Sequence, residues 1–382
     1  MEQGDQGGWH QYKLMRTATS ANAAYRESFA YSNDVHNVTP QRVLFRPGAI
    51  ADIDQEIACL GSQRCLVIST PGRIGMAQQV ADLIGARCAG IHAEAKSHIP
   101  IEVVRQAQSK MASLGVDCMV AIGGGASIGL AKAVALETKL PFVVIPTTYS
   151  GSEMTGFCGI TADGVKRMHK SLSMLARTVI YDPELTIRLP IAVTVPSAMN
   201  ALAHCIDALY ARTTSPLTAC AAIEGLRVIT QSLQRVRQTP LDLTARSELL
   251  YGAYLGGAAL TGGFALQHRL AQLIGGALGL PHADAHAAIL PYVVAFNAPF
   301  AQQADERIAK TLQVSHAAVG LYDFAIEVGS PLGLKSLGMN ESAIDHCTRL
   351  VIDDDNGLNP RPLESDAVRR LITDAFHGCR PG

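Results

Sequence analysis

The sequence lacks an excess of charge of either sign. Its 32 lysines and arginines are matched by 33 aspartates and glutamates, so we expect no basic surface that would release counterions from DNA or RNA. It also lacks any apolar run of the roughly 18 to 20 residues needed to cross a bilayer. No apolar segment of the secretory type stands near its start. These absences argue against a nucleic-acid-binding or membrane protein, and they favour a cytoplasmic location.

Cysteine pairs of the CxxC type are absent as well. The nine cysteines are odd in number, widely spaced and mostly set among apolar residues. This pattern predicts buried, reduced thiols and argues against a cysteine zinc site.

The composition is that of a compact enzyme with more than one domain. With 382 residues, 48% hydrophobic and 17% charged, the chain exceeds the usual size of a single core and is too apolar to be disordered. Residues 1–40 lack a clear period and are interpreted as an extension. We expect one domain over residues 41–190 and a second over residues 191–382.

Short apolar runs alternate with amphipathic stretches in the first of these domains. Helical patterns such as MAQQVADLIGA and IEVVRQAQSKMASLG separate the runs, and this alternation predicts a parallel sheet covered by helices, as in a Rossmann-like dinucleotide-binding domain. After Pro190 only helical patterns remain, so the second domain is predicted to be all helical. The six predicted strands are RVLF (42–45), RCLVIST (64–70), CAGIHAE (88–94), DCMVAIGG (117–124), PFVVIP (141–146) and TVIYDP (178–183).

A glycine-rich turn follows the fourth predicted strand and opens a helix. Free backbone N–H groups and the positive end of the helix dipole at such a turn bind a pyrophosphate. A tight turn without a ligand is the alternative, which the strand-to-helix context disfavours. The predicted cofactor-binding residues of this turn are Gly123, Gly124, Gly125, Ala126 and Ser127.

The polar segment IPTTYSGSEMT (145–155) follows the next strand, at the edge where open α/β sheets bind ligands. We expect its hydroxyl groups to hold the cofactor riboses or the nicotinamide amide. An ordinary polar loop is the alternative. The residues assigned to the cofactor here are Thr147, Thr148, Tyr149 and Ser152, with Ser150 as a further hydroxyl and Tyr149 also a substrate candidate.

No acidic residue stands at the end of the second predicted strand, where dinucleotide enzymes grip the adenosine ribose. Thr70 takes that place as a cofactor-binding candidate, and Arg73 follows it closely. Without a carboxylate a 2′-phosphate is not repelled, and Arg73 could pair with it. Both NADH and NADPH therefore remain possible.

Histidines are concentrated in the helical half. Asn200 and His204 lie four residues apart on one helical face, and His268, His282 and His286 stand on later segments. A single helical histidine is usually structural, but several that converge in a cleft suit metal binding or proton transfer. We take all four histidines as catalytic candidates, and His204, His268 and His282 as the ligands of any metal.

Together these motifs resemble the iron-containing alcohol dehydrogenase family, in which an aspartate and three histidines surround a divalent metal. The set here has Asn200 in place of the aspartate, and Gly129 stands where metal-dependent members usually show aspartate. Both replacements resemble the maleylacetate reductase branch. So do the motifs TTYSGSEMT, VIYDPELT, LPHADAH, FNAP and NPRP.

The resemblance implies reduction of the carbon–carbon double bond of 2-maleylacetate to 3-oxoadipate by NADH or NADPH, in a homodimer. Zinc or iron is not expected to be essential, because the amide of Asn200 is a weaker ligand for a hard cation than a carboxylate. The small dicarboxylate substrate needs polar and cationic partners. The candidates are Asn200, Arg269 and Tyr149, with Lys132 and Arg361 as further cations.

Three other functions remain open at this stage. A metal-dependent alcohol dehydrogenase acting on small alcohols or aldehydes would keep the hydride chemistry. A lyase resembling dehydroquinate synthase would use NAD without net consumption. An inactive cofactor-binding homologue is conceivable because Gln272, Tyr292 and the segment 353–357 depart from the branch pattern.

Overall fold

A computed structural model of the chain describes residues 41–382; the predicted extension at 1–40 lies outside them. Six parallel strands form one sheet in the order β1-β8-β5-β4-β2-β3, so the fourth strand lies at the centre. Each predicted strand is confirmed, and its ends move by at most two residues. The strands are β1 (Arg42–Phe45), β2 (Cys65–Ile68), β3 (Cys88–His92), β4 (Cys118–Gly123), β5 (Phe142–Pro146) and β8 (Thr178–Tyr181).

The central strands are buried along their whole length because helices cover both faces of the sheet. Every residue of β2, β4 and β5 is buried, as expected for parallel strands rich in valine and isoleucine. The helices between the strands are α1 (Ile53–Cys59), α2 (Ile74–Ile84), α3 (Ile101–Leu114) and α4 (Gly125–Thr138). In α2 the buried residues Ala77, Val80, Ala81 and Ile84 recur three and four apart, which places them on the face toward the sheet.

An antiparallel hairpin that was not predicted follows β5. Its strands are β6 (Phe157–Ala162) and β7 (Val165–Lys170). The turn between them is Asp163-Gly164, with φ of 50° and 73°. Positive φ at both central residues is the geometry that tight hairpins require, and Asp-Gly is a favoured pair for it.

After β8 the chain is helical throughout. The first of these helices begins at Ile191, directly after Pro190, and Pro196 lies inside it. The helices are α5 (Ile191–Tyr210), α6 (Pro216–Gln238), α7 (Leu243–Leu260), α8 (Leu266–Leu278), α9 (His282–Asn297), α10 (Gln302–Leu312), α11 (Ala317–Val328), α12 (Ile344–Asp353) and α13 (Ser365–His377).

The largest hydrophobic cluster continues from the sheet into the helical half. It includes Leu66 and Val144 of the sheet together with Leu202 of α5 and Leu226 of α6. The two halves therefore share buried surface along the line where they meet. The predicted fold class is confirmed, whereas the domain boundary at residue 190 stays a prediction. Within residues 41–382, no helix is long and apolar enough to span a bilayer.

The cysteine prediction is wrong in part. All nine cysteines are free thiols, but Cys59, Cys220 and Cys379 are exposed. The exposed ones lie on solvent-facing sides of helices or near the chain end, where apolar sequence neighbours do not imply burial.

Candidate active site

A cavity of about 770 Å³ lies at the carboxyl ends of β4 and β5, where the sheet meets the helical half. Gly124, Thr148 and Ser152 line it from the α/β half, while Asn200, His204 and His268 line it from the helices. The sequence motifs of both halves thus converge on one space. Crevices at this edge of a parallel sheet are the usual ligand sites of open α/β folds.

The glycine turn forms one wall of the cavity. Helix α4 begins at Gly125, and its N-cap residue Gly124 offers no side chain to cap it. A Cβ on Gly124 would lie 2.9 Å from Thr148 Oγ1, so the turn and the following loop are in close contact. A Cβ on Gly125 would meet no atom within 4 Å. The helix therefore presents open backbone N–H groups to the cavity, which suits an anionic pyrophosphate.

A buried lysine holds the polar loop after β5. Lys132 of α4 is fully buried and donates to the Ser152 carbonyl, to Thr155 Oγ1 at 2.9 Å and to the Phe157 carbonyl at 3.2 Å. Burial lowers its pKa to about 8, opposed by the nearby Cys158 and Glu153. Lys132 thus stabilises the conformation of this loop. It is not free to bind substrate, although the sequence analysis named it as a possible partner of the dicarboxylate.

Gly151 brings this loop directly against the helical half. It has a φ of 67°, and a Cβ there would lie 2.7 Å from His204 Nδ1 and 3.1 Å from the Cα of Gly257. Asn200 Nδ2 donates to the neighbouring Ser150 carbonyl at 3.3 Å. Glycine is therefore required both for the backbone conformation and for the contact.

The four predicted histidines form one contiguous cluster. Ring centroids lie 4.7 Å apart between His204 and His268, 4.6 Å between His268 and His286, and 4.6 Å between His286 and His282. His204, His268 and His282 line the cavity. His286 is fully buried behind them, and its ring faces Gln267.

Asp207, which the sequence analysis did not single out, holds His268 in place. Its carboxylate is fully buried and accepts from His268 Nδ1 at 2.9 Å and from the backbone N–H of His268 at 3.2 Å. This pairing fixes the orientation of the His268 ring and leaves its Nε2 toward the cavity, without a hydrogen-bond partner among the described residues. The signal was its position one helical turn after His204 in an otherwise apolar helix.

The other three histidines are held in the neutral form. Burial, followed by the charge on His268, holds the pKa of His204 and that of His286 well below the ordinary value. Burial and then the ammonium of Lys166 lower the pKa of His282 to about 3. His268 alone among the four has a carboxylate partner.

Several predicted site residues lie away from the cavity lining. Tyr149 is fully buried, and its hydroxyl accepts from Arg246 at 3.2 Å. Arg269 pairs with Asp354, and Arg361 stacks on Phe296 with 4.2 Å to the ring centroid. The Tyr149 hydroxyl and the two arginines already have partners, so the predicted substrate roles of Tyr149, Arg269 and Arg361 gain no support.

The cofactor residues also divide into two groups. Gly124, Gly125, Ala126, Thr148 and Ser152 line the cavity. Behind that surface or beyond the cavity lie Gly123, Ser127, Thr147 and Thr70, of which Ser127 and Thr147 are buried. The second group shapes the turns on which the first is presented.

The described residues do not fit a preformed metal centre. Within residues 41–382 no three histidine, cysteine, aspartate or glutamate side chains are arranged as ligands of one ion. Asn200 supplies an amide where a hard cation favours a carboxylate, and Asp207 is occupied by His268.

Comparison with known proteins identifies the family of the chain. Residues 40–183 match the model for iron-containing alcohol dehydrogenases, and residues 194–376 match the model for the C-terminal region of that family. A maleylacetate reductase from Burkholderia cepacia is 47% identical over 341 residues, covering 89% of this chain and 97% of the relative. The crystal structure of maleylacetate reductase from Agrobacterium tumefaciens superposes with a TM-score of 0.87 at 42% identity, covering 91% of this chain and 99% of that one.

The chain belongs to the iron-containing alcohol dehydrogenase family and is an oxidoreductase. Within that family it falls in the branch of the maleylacetate reductases. A second maleylacetate reductase structure, from a Rhizobium species, agrees with this placement at 40% identity and a TM-score of 0.87, over 91% of this chain and 99% of that one.

Proposed function

We propose that this enzyme reduces 2-maleylacetate to 3-oxoadipate with NAD(P)H as the hydride donor. The observation that carries the proposal is the Asp207–His268 pair, whose free Nε2 faces a cavity shared with the glycine turn. The high identity to maleylacetate reductases over most of the chain supports the choice of substrate.

The cofactor site that we propose lies along the first half of the cavity. The open N-terminus of α4 at Gly125 binds the pyrophosphate, and the hydroxyls of Thr148, Ser150 and Ser152 border the space beyond it. When bound there, NAD(P)H supplies the hydride. Lys132 keeps Ser152 in place through hydrogen bonds to its carbonyl and, at 3.1 Å, to its hydroxyl.

The chemistry requires a group that stabilises negative charge on oxygen. Hydride addition to the alkene carbon β to the ketone moves the electron pair of the double bond onto the ketone oxygen and gives an enolate. Protonated His268 donates from Nε2 to this oxygen, and the carboxylate of Asp207 stabilises the positive ring. A proton is then added to the carbon between the ketone and the reduced position, which completes 3-oxoadipate.

His204 is the proposed relay for the proton to that carbon: its neutral ring passes on a proton as it takes up another from solvent, and so stays uncharged. It lines the cavity next to His268, and its Nδ1 has no hydrogen-bond partner among the described residues. His286 does not line the cavity, so we assign it to packing behind His268 rather than to proton transfer. His282 also lines the cavity, close enough to Lys166 for the ammonium charge to act on it.

The choice of coenzyme and the assembly state remain predictions. Arg73 follows β2 in a short 3₁₀ turn, where it is the candidate partner of a 2′-phosphate. The family resemblance predicts a homodimer, and light scattering of the purified protein tests this by measuring its molar mass in solution.

The function is tested by following NADH and NADPH oxidation with maleylacetate and with a panel of simple aldehydes. We expect turnover of maleylacetate with at least one coenzyme and formation of one 3-oxoadipate per coenzyme oxidised. Turnover of aldehydes alone would instead indicate an alcohol dehydrogenase. Coenzyme binding without any turnover would indicate an inactive homologue.

A further inference from the structure

The β6–β7 hairpin carries a lysine into the cavity. Lys166 and Met168 are two residues apart on β7 and both line the cavity, as alternate residues on one face of a strand do. Their partners on β6 are Thr161 and Gly159. Arg167 lies between them on the opposite face and is exposed. The hairpin thus directs Lys166 into the cavity and Arg167 into solvent.

Gly159 makes room for the lysine side chain. A Cβ on Gly159 would overlap Lys166 Cε and lie 3.3 Å from Lys166 Cδ and 3.0 Å from Met168 Sδ. The alkyl chain of Lys166 therefore lies across β6 at the one place where that strand has no side chain. Any other residue at 159 would displace the ammonium group.

The ammonium group of Lys166 lacks a counterion. Among residues 41–382 it forms none of the hydrogen bonds or ion pairs found in the structure, and the side chain is only partly exposed. Burial lowers its pKa, and the sulfur of Cys158 opposes this shift. A partly desolvated cation without an acid partner is unfavourable unless an anion arrives to pair with it.

Of the lysines and arginines between residues 41 and 382, Lys166 alone lines this cavity. In the same part of the chain, the lining contains a single carboxylate, Asp284. The cations expected from the sequence are engaged elsewhere: Arg269 with Asp354, and Lys132 with the loop after β5. Among the described residues, Lys166 is therefore the one lysine or arginine that an anionic substrate meets here.

A neighbouring loop adds a second donor beside the lysine. Thr161 of β6 donates from its backbone N–H to the Ile99 carbonyl at 3.0 Å and from Oγ1 to the His98 carbonyl at 2.7 Å. His98 also lines the cavity, and burial followed by the charge of Lys166 lowers its pKa. A neutral imidazole next to the ammonium offers an N–H to the same anion.

We propose that Lys166, with His98 beside it, binds one of the two carboxylates of the substrate and so selects dicarboxylates. This inference rests on the proposed function for the identity of the substrate. The charged hydrogen bond fixes the end of the molecule, while His268 acts on its ketone.

The test compares Lys166→Met, Lys166→Arg and Arg167→Met with the unmodified enzyme. For Lys166→Met we expect the KM for maleylacetate to rise roughly 10- to 100-fold, while kcat changes much less, because a charge-assisted contact made in both the ground and transition states is lost. Lys166→Arg restores most of the affinity. Arg167→Met, which removes an outward charge one residue away, leaves KM unchanged.

Direct binding of adipate, measured by calorimetry with coenzyme present, separates this inference from the proposed function. We expect Lys166→Met to weaken adipate binding at least tenfold, and Gly159→Ala, which displaces the ammonium without removing it, to weaken it as well. If adipate binding depends on Lys166 but maleylacetate is not reduced, the proposed function fails and the carboxylate site stands. Equal adipate affinity in Lys166→Met and the unmodified enzyme overturns the inference.

Discussion

At the scale of single residues, the contrast between His268 and its neighbours decides which ring can act as an acid. His268 shares a buried hydrogen bond with Asp207, whereas His204 and His282 have neutral or positive surroundings. A buried carboxylate stabilises an imidazolium, and burial without one favours the neutral ring. The cluster thus combines one ring that is paired with a carboxylate and neighbouring rings that have no such partner.

Replacement of His268 tests this assignment. For His268→Ala we expect kcat with maleylacetate to fall by about 100-fold or more, because the donor to the developing oxyanion is removed. The rate is measured from NAD(P)H oxidation at saturating substrate. His346→Ala, which removes an exposed histidine of α12, is the matched control and keeps full activity. A kcat for His268→Ala equal to that of the control would contradict the oxyanion role.

The sequence predicted the histidines better than their partners. Spacing on a helix places Asn200 and His204 on one face without reference to any other segment. The orientation of the Tyr149 side chain, by contrast, depends on a hydrogen bond from Arg246. That arginine lies 97 residues away in sequence and is fully buried. Partners so distant leave no local pattern, and the same holds for Arg269 with Asp354, which lies 85 residues away.

At the scale of elements, the loop between β5 and β6 joins the two halves of the site. Gly151 is its contact point with His204 and with Gly257 of α7. Neighbouring hydrogen bonds tie the same loop to α5, since Tyr149 N–H donates to Ser197 Oγ at 2.9 Å. Movement of the loop would therefore displace both the cofactor hydroxyls and a catalytic ring.

Substitution of Gly151 is expected to damage both activity and stability. Gly151→Ala places a side chain on a residue with a positive φ, where it also clashes with His204. We therefore expect the free energy of unfolding to fall by about 2 kcal/mol and kcat to fall at least ~10-fold. Gly164→Ala is the control, because Gly164 has a similar φ of 73° but no atom within 4 Å of an added Cβ. Urea unfolding and steady-state rates measure the two effects. Equal rates in the two variants would show that the contact with His204 is unimportant.

Helices and strands could be predicted wherever the hydrophobic pattern of a single segment determines its structure. Buried strands and amphipathic helices follow from periodicity, and all six strands of the main sheet were found. The hairpin was missed although Asp163-Gly164 is a favoured turn pair, because its second strand, VKRMHK, is polar and mostly exposed. Helix α5 begins at Ile191 and tolerates Pro196 as its sixth residue, which leaves only the Ala192 carbonyl without its helical N–H donor.

At the scale of the whole molecule, the site exists only where the α/β half and the helical half meet. The cavity combines the open turn at Gly125 with the rings of His204 and His268. Sequence motifs predicted this convergence through the family resemblance. They could not predict the cavity's charge, which depends on a lysine from the unpredicted hairpin.

Removal of metal from the whole enzyme tests whether its activity depends on a bound ion. Because Asn200 offers an amide and Asp207 is held by His268, we expect kcat with maleylacetate to change by less than about twofold after exhaustive dialysis against a chelator. Metal content is measured by mass spectrometry alongside the rate. Loss of activity that zinc or iron restores would mean that the histidines act as ligands.

The hairpin lies between β5 and β8 in the chain, and its strand β6 packs against α4, where the Cys158 thiol donates to the Gly129 carbonyl. The two proposals thus assign acid recognition and coenzyme binding to separate stretches of the chain. Transfer of the hairpin together with the loop that carries His98 would then exchange the preferred acid and leave the glycine turn unchanged.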